Sequence, residues 1–162
     1  MARSARDDVG GVRDGIRREF PWADTDAATA MLALVGAARR VDAWLQAVLK
    51  PLGLADSSAA VLLALVLAGE PYRMSVTDLN EMLVITSGGI TRTVDRLVGG
   101  RLVRRVDDPD DRRRVLVELT GRGRAAAEQV LSALVESFAS RVTLDADVVT
   151  VLRGFDDVPR PR

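Results

Sequence analysis

The stretch LVRRVDDPDDRRRVLVEL, residues 102–119, decides the fold, because two short segments with strand-like patterns flank a turn-forming centre. Residues 102–106 and 114–119 both have the length of short strands, and in the second segment valine or leucine recurs at every other position. Between them, Asp108-Pro109-Asp110-Asp111 is typical of a turn with proline at its second position. The stretch therefore predicts a two-stranded β-hairpin with a highly charged tip.

Two short helical segments precede this hairpin. Ser75 is a good N-cap residue, and Asp78, three residues later, completes an approximate capping box for the first segment. Thr86 is the expected N-cap of the second, which runs to about Val98. Segments so close together predict a helix-turn-helix, and a helix-turn-helix followed by a hairpin is a winged helix.

Longer helices are predicted on both sides of this region. Residues 26–50 have apolar side chains at helical spacing, and Pro51 ends the pattern. Asp56 is the expected N-cap of a nearly all-apolar segment that we predict to be the central core helix. Thr120 is the expected N-cap of a long helix over about 121–142, and Asp145 of a last one that ends near Gly154.

The remaining sequence predicts one soluble domain with short ends. Residues 1–25 are expected to be a mobile or weakly helical arm, residues 26–154 the domain, with 55–120 as its winged-helix lobe, and 155–162 a tail. The chain has neither an apolar run of membrane-spanning length nor the apolar core of a secretory signal. We therefore expect a cytoplasmic protein without membrane contact.

Composition excludes several kinds of chemistry. The 162 residues include no cysteine and no histidine, which excludes disulfides, thiolate zinc sites and an imidazole proton shuttle. Lys50, the lone lysine, lies beside Pro51 with no nucleophile nearby in sequence. We expect no enzyme activity, no catalytic residue, no cofactor and no metal.

The charge of the chain is unevenly distributed. The net charge is zero, but residues 86–124 contain ten arginines against six acidic residues. This local excess of positive charge predicts contact with a polyanion in the region of the second short helix and the hairpin.

Residues 86–98, projected at helical spacing, have an apolar and a polar side. Gly88, Arg92, Asp95 and Arg96 lie on the polar side, with Thr91 at its margin. Gly88 and its neighbour Gly89 each cost roughly 1 kcal/mol in helix propensity against alanine, which suggests that bulk is unwelcome there. This side could enter a major groove; the alternative is an ordinary solvated face with a frayed first turn.

The hairpin tip combines cations and acids. Arg112, Arg113 and Arg114 could follow phosphates or enter a minor groove. The four aspartates of residues 107–111 could instead bind a divalent cation, although their spacing differs from that of a calcium loop. A third alternative is a solvated acidic turn.

These residues resemble the MarR family of bacterial winged-helix transcription regulators. The resemblance rests on residues 71–123, above all on TSGGITRTVDRL (86–97) and DDRRRVLVELTGRG (110–123), and the helical frame fits from about residue 26 to 154. It implies a mainly α winged helix-turn-helix with a two-stranded β-wing. It also implies a homodimer made by long N- and C-terminal helices, here 26–50 and 121–154.

The resemblance also implies a role for individual residues. In the second helix of the helix-turn-helix it implies contacts with double-stranded DNA by Thr86, Ser87, Gly88, Thr91, Arg92 and Arg96. In the hairpin, Asp111 matches the carboxylate that braces the wing arginine, and Arg113 the arginine that reaches into the minor groove. Arg112 and Arg114 are then left for phosphate.

Further expectations concern the operator and the effector. A homodimer implies a pseudo-palindromic operator, and many relatives bind small aromatic or phenolic acids, with Arg39, Trp44 and Tyr72 as candidates here. The chain would then be a repressor that such an effector releases from DNA. The alternative is a winged-helix module that binds a protein partner and no DNA.

One position departs from the family pattern. Relatives usually have glycine where this chain has Arg101, and here Gly99-Gly100 precede it. Because glycine is favoured where a helix ends in a left-handed residue, either the cap shifts to Gly100 or Arg101 is strained.

Overall fold

The computed structural model describes residues 6–83, 87–109, 111 and 114–140. These residues are mainly helical and include one small antiparallel sheet. The chain divides into two compact units, Met1–Gly53 and Leu54–Arg162. The predicted fold class, a mainly α winged helix-turn-helix with a β-wing, is confirmed.

The described part of the first unit, from residue 6 onward, contains two α-helices. Helix α1 spans Arg6–Glu19, and a 3-10 turn at Pro21–Ala23 leads into α2, Asp26–Leu49, which a second 3-10 turn at Lys50–Leu52 follows. Residues 1–25, expected to be a mobile or weakly helical arm, thus contain a 14-residue helix. The Thr25 side chain caps α2 by accepting a hydrogen bond from the Ala28 N–H at 3.2 Å. Arg17 donates to Asp24 at 2.7 Å, and this bond raises the pKa of the Arg17 guanidinium.

Three helices of the second unit form the helix-turn-helix and its support. They are α3 (Asp56–Leu67), α4 (Val76–Leu83) and α5 (Ser87–Gly99). The predicted capping box of α4 is confirmed: the Asp78 N–H donates to Ser75 Oγ at 3.1 Å, and the Ser75 N–H donates to Asp78 Oδ2 at 3.4 Å.

The prediction that Asp56 is the N-cap of α3 is wrong by one residue. Ala55 is the N-cap, with an extended backbone and no side-chain cap, and Asp56 is the first helical residue. Its carboxylate there still stabilises the positive end of the helix dipole.

The sheet has one strand more than the predicted hairpin. Strands β2 (Val103–Asp107) and β3 (Val115–Leu119) form the hairpin, and β1 (Arg73–Ser75) pairs antiparallel with the free edge of β3, giving the order β1-β3-β2. Strand β1 was not predicted because three residues that lead directly into a helix cap carry no strand pattern of their own.

Helix α6 spans Gly121–Ala139, and Thr120 caps it as predicted, its Oγ1 accepting from the Gly123 N–H at 3.0 Å. The predicted continuation to about residue 142, the last helix from Asp145 to Gly154 and the tail over 155–162 lie outside the described residues.

The core of the second unit is built around α3. Helix α3 packs against α4, α5, α6 and β3, and its middle is buried on nearly every side, as its lack of a polar face predicts. The buried residues of the main apolar cluster are Val61, Leu62, Ala64, Leu65, Leu79, Ile90, Val94, Leu97, Val103, Val117, Leu119 and Ala127.

Among the described helices, no single one is long and apolar enough to cross a bilayer. Helix α2 with its following turn meets the criteria of length and composition for a span only when it is taken together with α3.

Candidate nucleic-acid interface

Helix α5 presents the polar face that its sequence predicts. Ile90, Val94 and Leu97 are buried in the core, which turns the opposite side of the helix outward. That outward side consists of the exposed residues Gly88, Thr91, Arg92, Asp95 and Arg96. The structure therefore brings together five predicted polar-face residues on one accessible surface, here called the α5 polar face.

Two details of α5 were not predicted. Thr93 is a polar residue on the buried side, only 4% exposed, and its Oγ1 donates to Ser57 Oγ on α3 at 3.2 Å. Gly88 has open space where a side chain would begin, with no atom within 4 Å of an added Cβ. Packing within the chain therefore does not explain a glycine at residue 88.

Helix α5 ends in a Schellman motif with Arg101 in the left-handed position. The Leu102 N–H donates to the Leu97 carbonyl and the Arg101 N–H to the Val98 carbonyl, both at 2.9 Å. Arg101 has φ +56°, so Arg101 itself takes the left-handed conformation and the cap does not shift to Gly100. Leu102 packs against the buried core, as the residue after such a cap commonly does.

The base of the hairpin packs tightly against the start of α6. Thr120 Oγ1 lies 2.8 Å from the Arg101 carbonyl and 3.1 Å from the Leu102 carbonyl. A Cβ added to Gly123 would lie 1.8 Å from the Leu102 carbonyl oxygen. Gly123 is therefore required for the approach of α6 to the hairpin, a role that its place in the sequence motif did not reveal.

Exposed ion pairs hold the hairpin to the helices and its strands to each other. Arg105 on β2 donates to Asp95 on the α5 polar face at 2.7 Å. Across the hairpin, Arg104 Nε donates to Glu118 Oε1 at 3.0 Å. The first pair ties the orientation of the hairpin to that of α5.

The tip of the hairpin is only partly described. The Asp108 N–H donates to the Arg114 carbonyl at 3.1 Å, one residue pair beyond β2 and β3. The Arg114 N–H donates to the Asp111 carbonyl at 2.8 Å, on the C-terminal side of the turn predicted at 108–111.

Several predicted contact residues lie outside this description. They are Thr86, Arg112 and Arg113, together with the side chain of Ser87, the first residue of α5. The ion pair expected between Asp111 and Arg113 therefore stays a prediction.

The three candidate effector residues lie in different units. Arg39 is exposed and Trp44 half-buried on α2 in the first unit. Tyr72, in the second, has φ +58°, and the Arg124 guanidinium of α6 lies 4.7 Å from its ring centre and donates to its hydroxyl at 2.7 Å. One face of this tyrosine is thus occupied by a side chain of the protein itself.

Within residues 6–83, 87–109, 111 and 114–140, no three acidic side chains are grouped as a metal ion would require. Asp110 of the tip lies outside these ranges.

Comparisons with known proteins agree with this geometry. Residues 52–114 match the sequence model described as the MarR family. The multiple antibiotic resistance protein MarR of Escherichia coli is 38% identical over 77 residues, which span 46% of this chain and 54% of that protein. The sequence match thus spans about half the length of this relative.

Solved structures extend the likeness over more of the chain. A mutant MarR from Escherichia coli superposes with a TM-score of 0.64 at 30% identity, covering 76% of this chain and 90% of that one. The same mutant in complex with operator DNA gives 0.67 at 27% identity, covering 89% and 98%. BpsR of Bordetella bronchiseptica, whose DNA binding is regulated by 6-hydroxynicotinic acid, gives 0.68 at 25% identity, covering 85% and 96%.

The family match covers the helix-turn-helix and the hairpin as far as Arg114, and the two MarR structures cover 76% and 89% of the chain. These matches confirm the resemblance to the MarR family. The chain belongs to the MarR family of winged helix-turn-helix transcription regulators.

Proposed function

We propose that this chain is a sequence-specific DNA-binding regulator of transcription that acts as a homodimeric repressor. The observation that carries the proposal is the α5 polar face, which the Asp95–Arg105 ion pair joins to the hairpin at 2.7 Å. A helix and a hairpin held in one orientation can enter a major groove and the neighbouring minor groove together. A MarR structure with operator DNA, similar to this chain over most of its length, supports this arrangement.

Within the α5 polar face, Arg92 and Arg96 are the readers of base edges. Both are exposed, and a guanidinium fork can bond the two acceptors of guanine in the major groove. Thr91 contacts bases or phosphate beside them, while Thr86 and Ser87 donate to phosphate at the start of the helix. Gly88 leaves room for the DNA backbone.

The hairpin tip supplies the minor-groove contact. Arg113 enters the groove, braced by Asp111, while Arg112 contacts phosphate. A charge-assisted bond that orients Arg113 before binding reduces the entropy lost on DNA contact.

Apolar side chains on the long helices support a homodimer. In the second unit, Leu131 and Val135 lie one turn apart on α6 and are 52% and 58% exposed. In the first, Met31 and Val35 on α2 are 58% and 48% exposed. A second copy would bury these stripes and place two α5 helices in successive major grooves, about 34 Å apart, on a pseudo-palindromic operator.

A small aromatic or phenolic acid is the effector class that we propose. BpsR, a structural relative, has its DNA binding regulated by one such acid. Arg39, Trp44 and Tyr72 are the candidate residues, since a guanidinium can pair with a carboxylate and an aromatic side chain can contact an aromatic ring. The acid must bind the DNA-free form more tightly than the DNA-bound form, since equal affinity shifts no equilibrium.

Substitution of one wing arginine tests the proposal. Fluorescence anisotropy with DNA from upstream of the gene should show tight binding that weakens steeply between about 50 and 200 mM salt. Arg113→Ala should lower this affinity at least tenfold with the circular dichroism unchanged, by loss of about 1.4 kcal/mol or more of binding free energy. Arg122→Ala, which removes an exposed arginine from α6, is the matched control and should bind like the wild type.

The same titration separates the proposal from a protein-binding module. A module that uses its arginines for a protein partner would show weak DNA binding of similar strength for any sequence. That result, or equal affinities for the two variants, would contradict the proposed function.

A further inference from the structure

Asp78 and Arg114 connect the first turn of α4 with the part of the hairpin next to its tip, where Arg114 precedes β3. Arg114 Nη2 lies 3.7 Å from Asp78 Oδ2, and each side chain is about half exposed. The Asp78 carboxylate is not free to follow the arginine, because the same Oδ2 accepts the Ser75 N–H of the capping box. The arginine therefore meets an acceptor that is held by the backbone N–H of Ser75, the residue before α4.

Strand register shows which side of the hairpin this contact holds. Ser75, Leu116 and Val106 are partners across the sheet and share one face, and Arg114 lies two residues before Leu116 on the same face. Arg105 is the partner of Val117 and lies on the opposite face. The hairpin is thus held by α4 on one face, through Arg114, and by α5 on the other, through Arg105.

We propose that Asp78 and Arg114 are a positioning pair for DNA binding, in which Arg114 contributes to affinity through the orientation of the hairpin and not by contacting phosphate. The inference rests on the proposed function and revises the phosphate role expected for Arg114. Two ion pairs on opposite faces limit the rotation of the hairpin about its base, so the tip meets the groove with less orientational entropy to lose.

The salt dependence of binding distinguishes positioning from direct contact. Log affinity falls as log salt concentration rises, and an arginine that neutralises one phosphate makes this slope steeper by about 0.9. A residue that only orients the hairpin changes the affinity and leaves this slope unchanged. The slope is therefore a readout that a purely orienting role does not alter.

Four variants make the test. Asp78→Asn removes the charge but keeps an oxygen that can accept the Ser75 N–H, Arg114→Gln removes the cation, and the double variant removes both. Arg114→Lys keeps the cation. Each single loss of charge should weaken binding about two- to fivefold, the effect typical of an exposed ion pair, with an unchanged salt slope. The double variant should bind no more weakly than Arg114→Gln alone, and Arg114→Lys should restore most of the affinity.

Amide hydrogen exchange without DNA provides an independent readout. The N–H groups of Asp108 and Arg114 both bond across the tip, and they should exchange faster in Asp78→Asn than in the wild type.

Three results would overturn the positioning pair. The first is tighter DNA binding by Asp78→Asn, which would mean that the carboxylate only repels phosphate. The second is a salt slope whose magnitude is smaller by about 0.9 in Arg114→Gln. The third is unchanged exchange of the Asp108 and Arg114 amides in Asp78→Asn. A wild type without salt-dependent DNA binding would instead refute the proposed function, and the exchange rates alone would then decide whether the pair orients the hairpin.

Discussion

The base and the tip of the hairpin are held in opposite ways. At the base, Gly123 approaches the Leu102 carbonyl so closely that a Cβ would overlap it, and Thr120 lies within hydrogen-bonding distance of two carbonyls. Toward the tip, ion pairs of exposed side chains, such as Asp95 with Arg105, connect the hairpin to the helices. The base is fixed by close packing, whereas the outer part is held by interactions that water and salt weaken.

This difference indicates which residues serve the fold and which serve a partner. Gly123 and Gly88 are the simplest pair for the comparison. Gly123 is buried where there is no space for a side chain, and Gly88 is exposed with no atom within 4 Å of an added Cβ. A requirement for glycine at residue 88 would therefore come from outside the chain, and at residue 123 it comes from within.

The largest effect is expected for Gly123→Ala. The added Cβ would lie 1.8 Å from the Leu102 oxygen and 3.0 Å from Leu119 Cδ2, and the nearer atom is backbone. Since α6 or β2 must move, the free energy of unfolding should fall by about 3 kcal/mol or more, measured by urea denaturation. Gly121→Ala, two residues earlier in open space, should leave it unchanged or raise it by at most about 1 kcal/mol. Equal losses in the two variants would mean that the approach at Gly123 does not limit packing.

The features that depend on neighbours in sequence were predictable. The polar face of α5 followed from helical periodicity, and the caps by Ser75, Asp78 and Thr120 followed from residue type and spacing. The hairpin followed from alternation around a proline-containing turn. Each of these signals comes from residues that are close together in the sequence, so each can be recognised from one sequence alone.

The features that depend on distant residues were not predictable. Strand β1 is defined by its pairing with β3, far along the chain, and Thr93 points inward because Ser57 of α3 accepts its hydrogen bond. The overlap at Gly123 arises only when α6 lies against Leu102. The start of α3 could be capped by Ala55 or Asp56, and α5 could end with Gly100 or Arg101 in the left-handed position. Local chemistry does not decide between such neighbouring residues.

The next effect concerns the outer part of the structure. Gly88→Ala should leave the unfolding free energy equal or raise it by at most about 1 kcal/mol, because alanine favours the helix and meets no neighbour. DNA affinity should nevertheless fall about tenfold if α5 lies against DNA at this residue. Gly99→Ala, at the other end of α5 and also in open space, is the matched control and should bind DNA normally. Normal binding by both variants would show that residue 88 does not approach the DNA.

The smallest effect is expected for Arg101→Gly, at the base. Arg101 has φ +56°, a conformation in which the Cβ comes too close to the following carbonyl oxygen. Glycine, which has no Cβ, avoids this contact. Glycine should raise the unfolding free energy by about 1 kcal/mol, somewhat less than the cost of the left-handed residue, because glycine also gains entropy in the unfolded chain. Arg101→Ala, which keeps the Cβ, separates backbone from side chain and should change stability by less than about 0.5 kcal/mol. An equal gain from alanine would place the cost in the arginine side chain and not in the left-handed backbone.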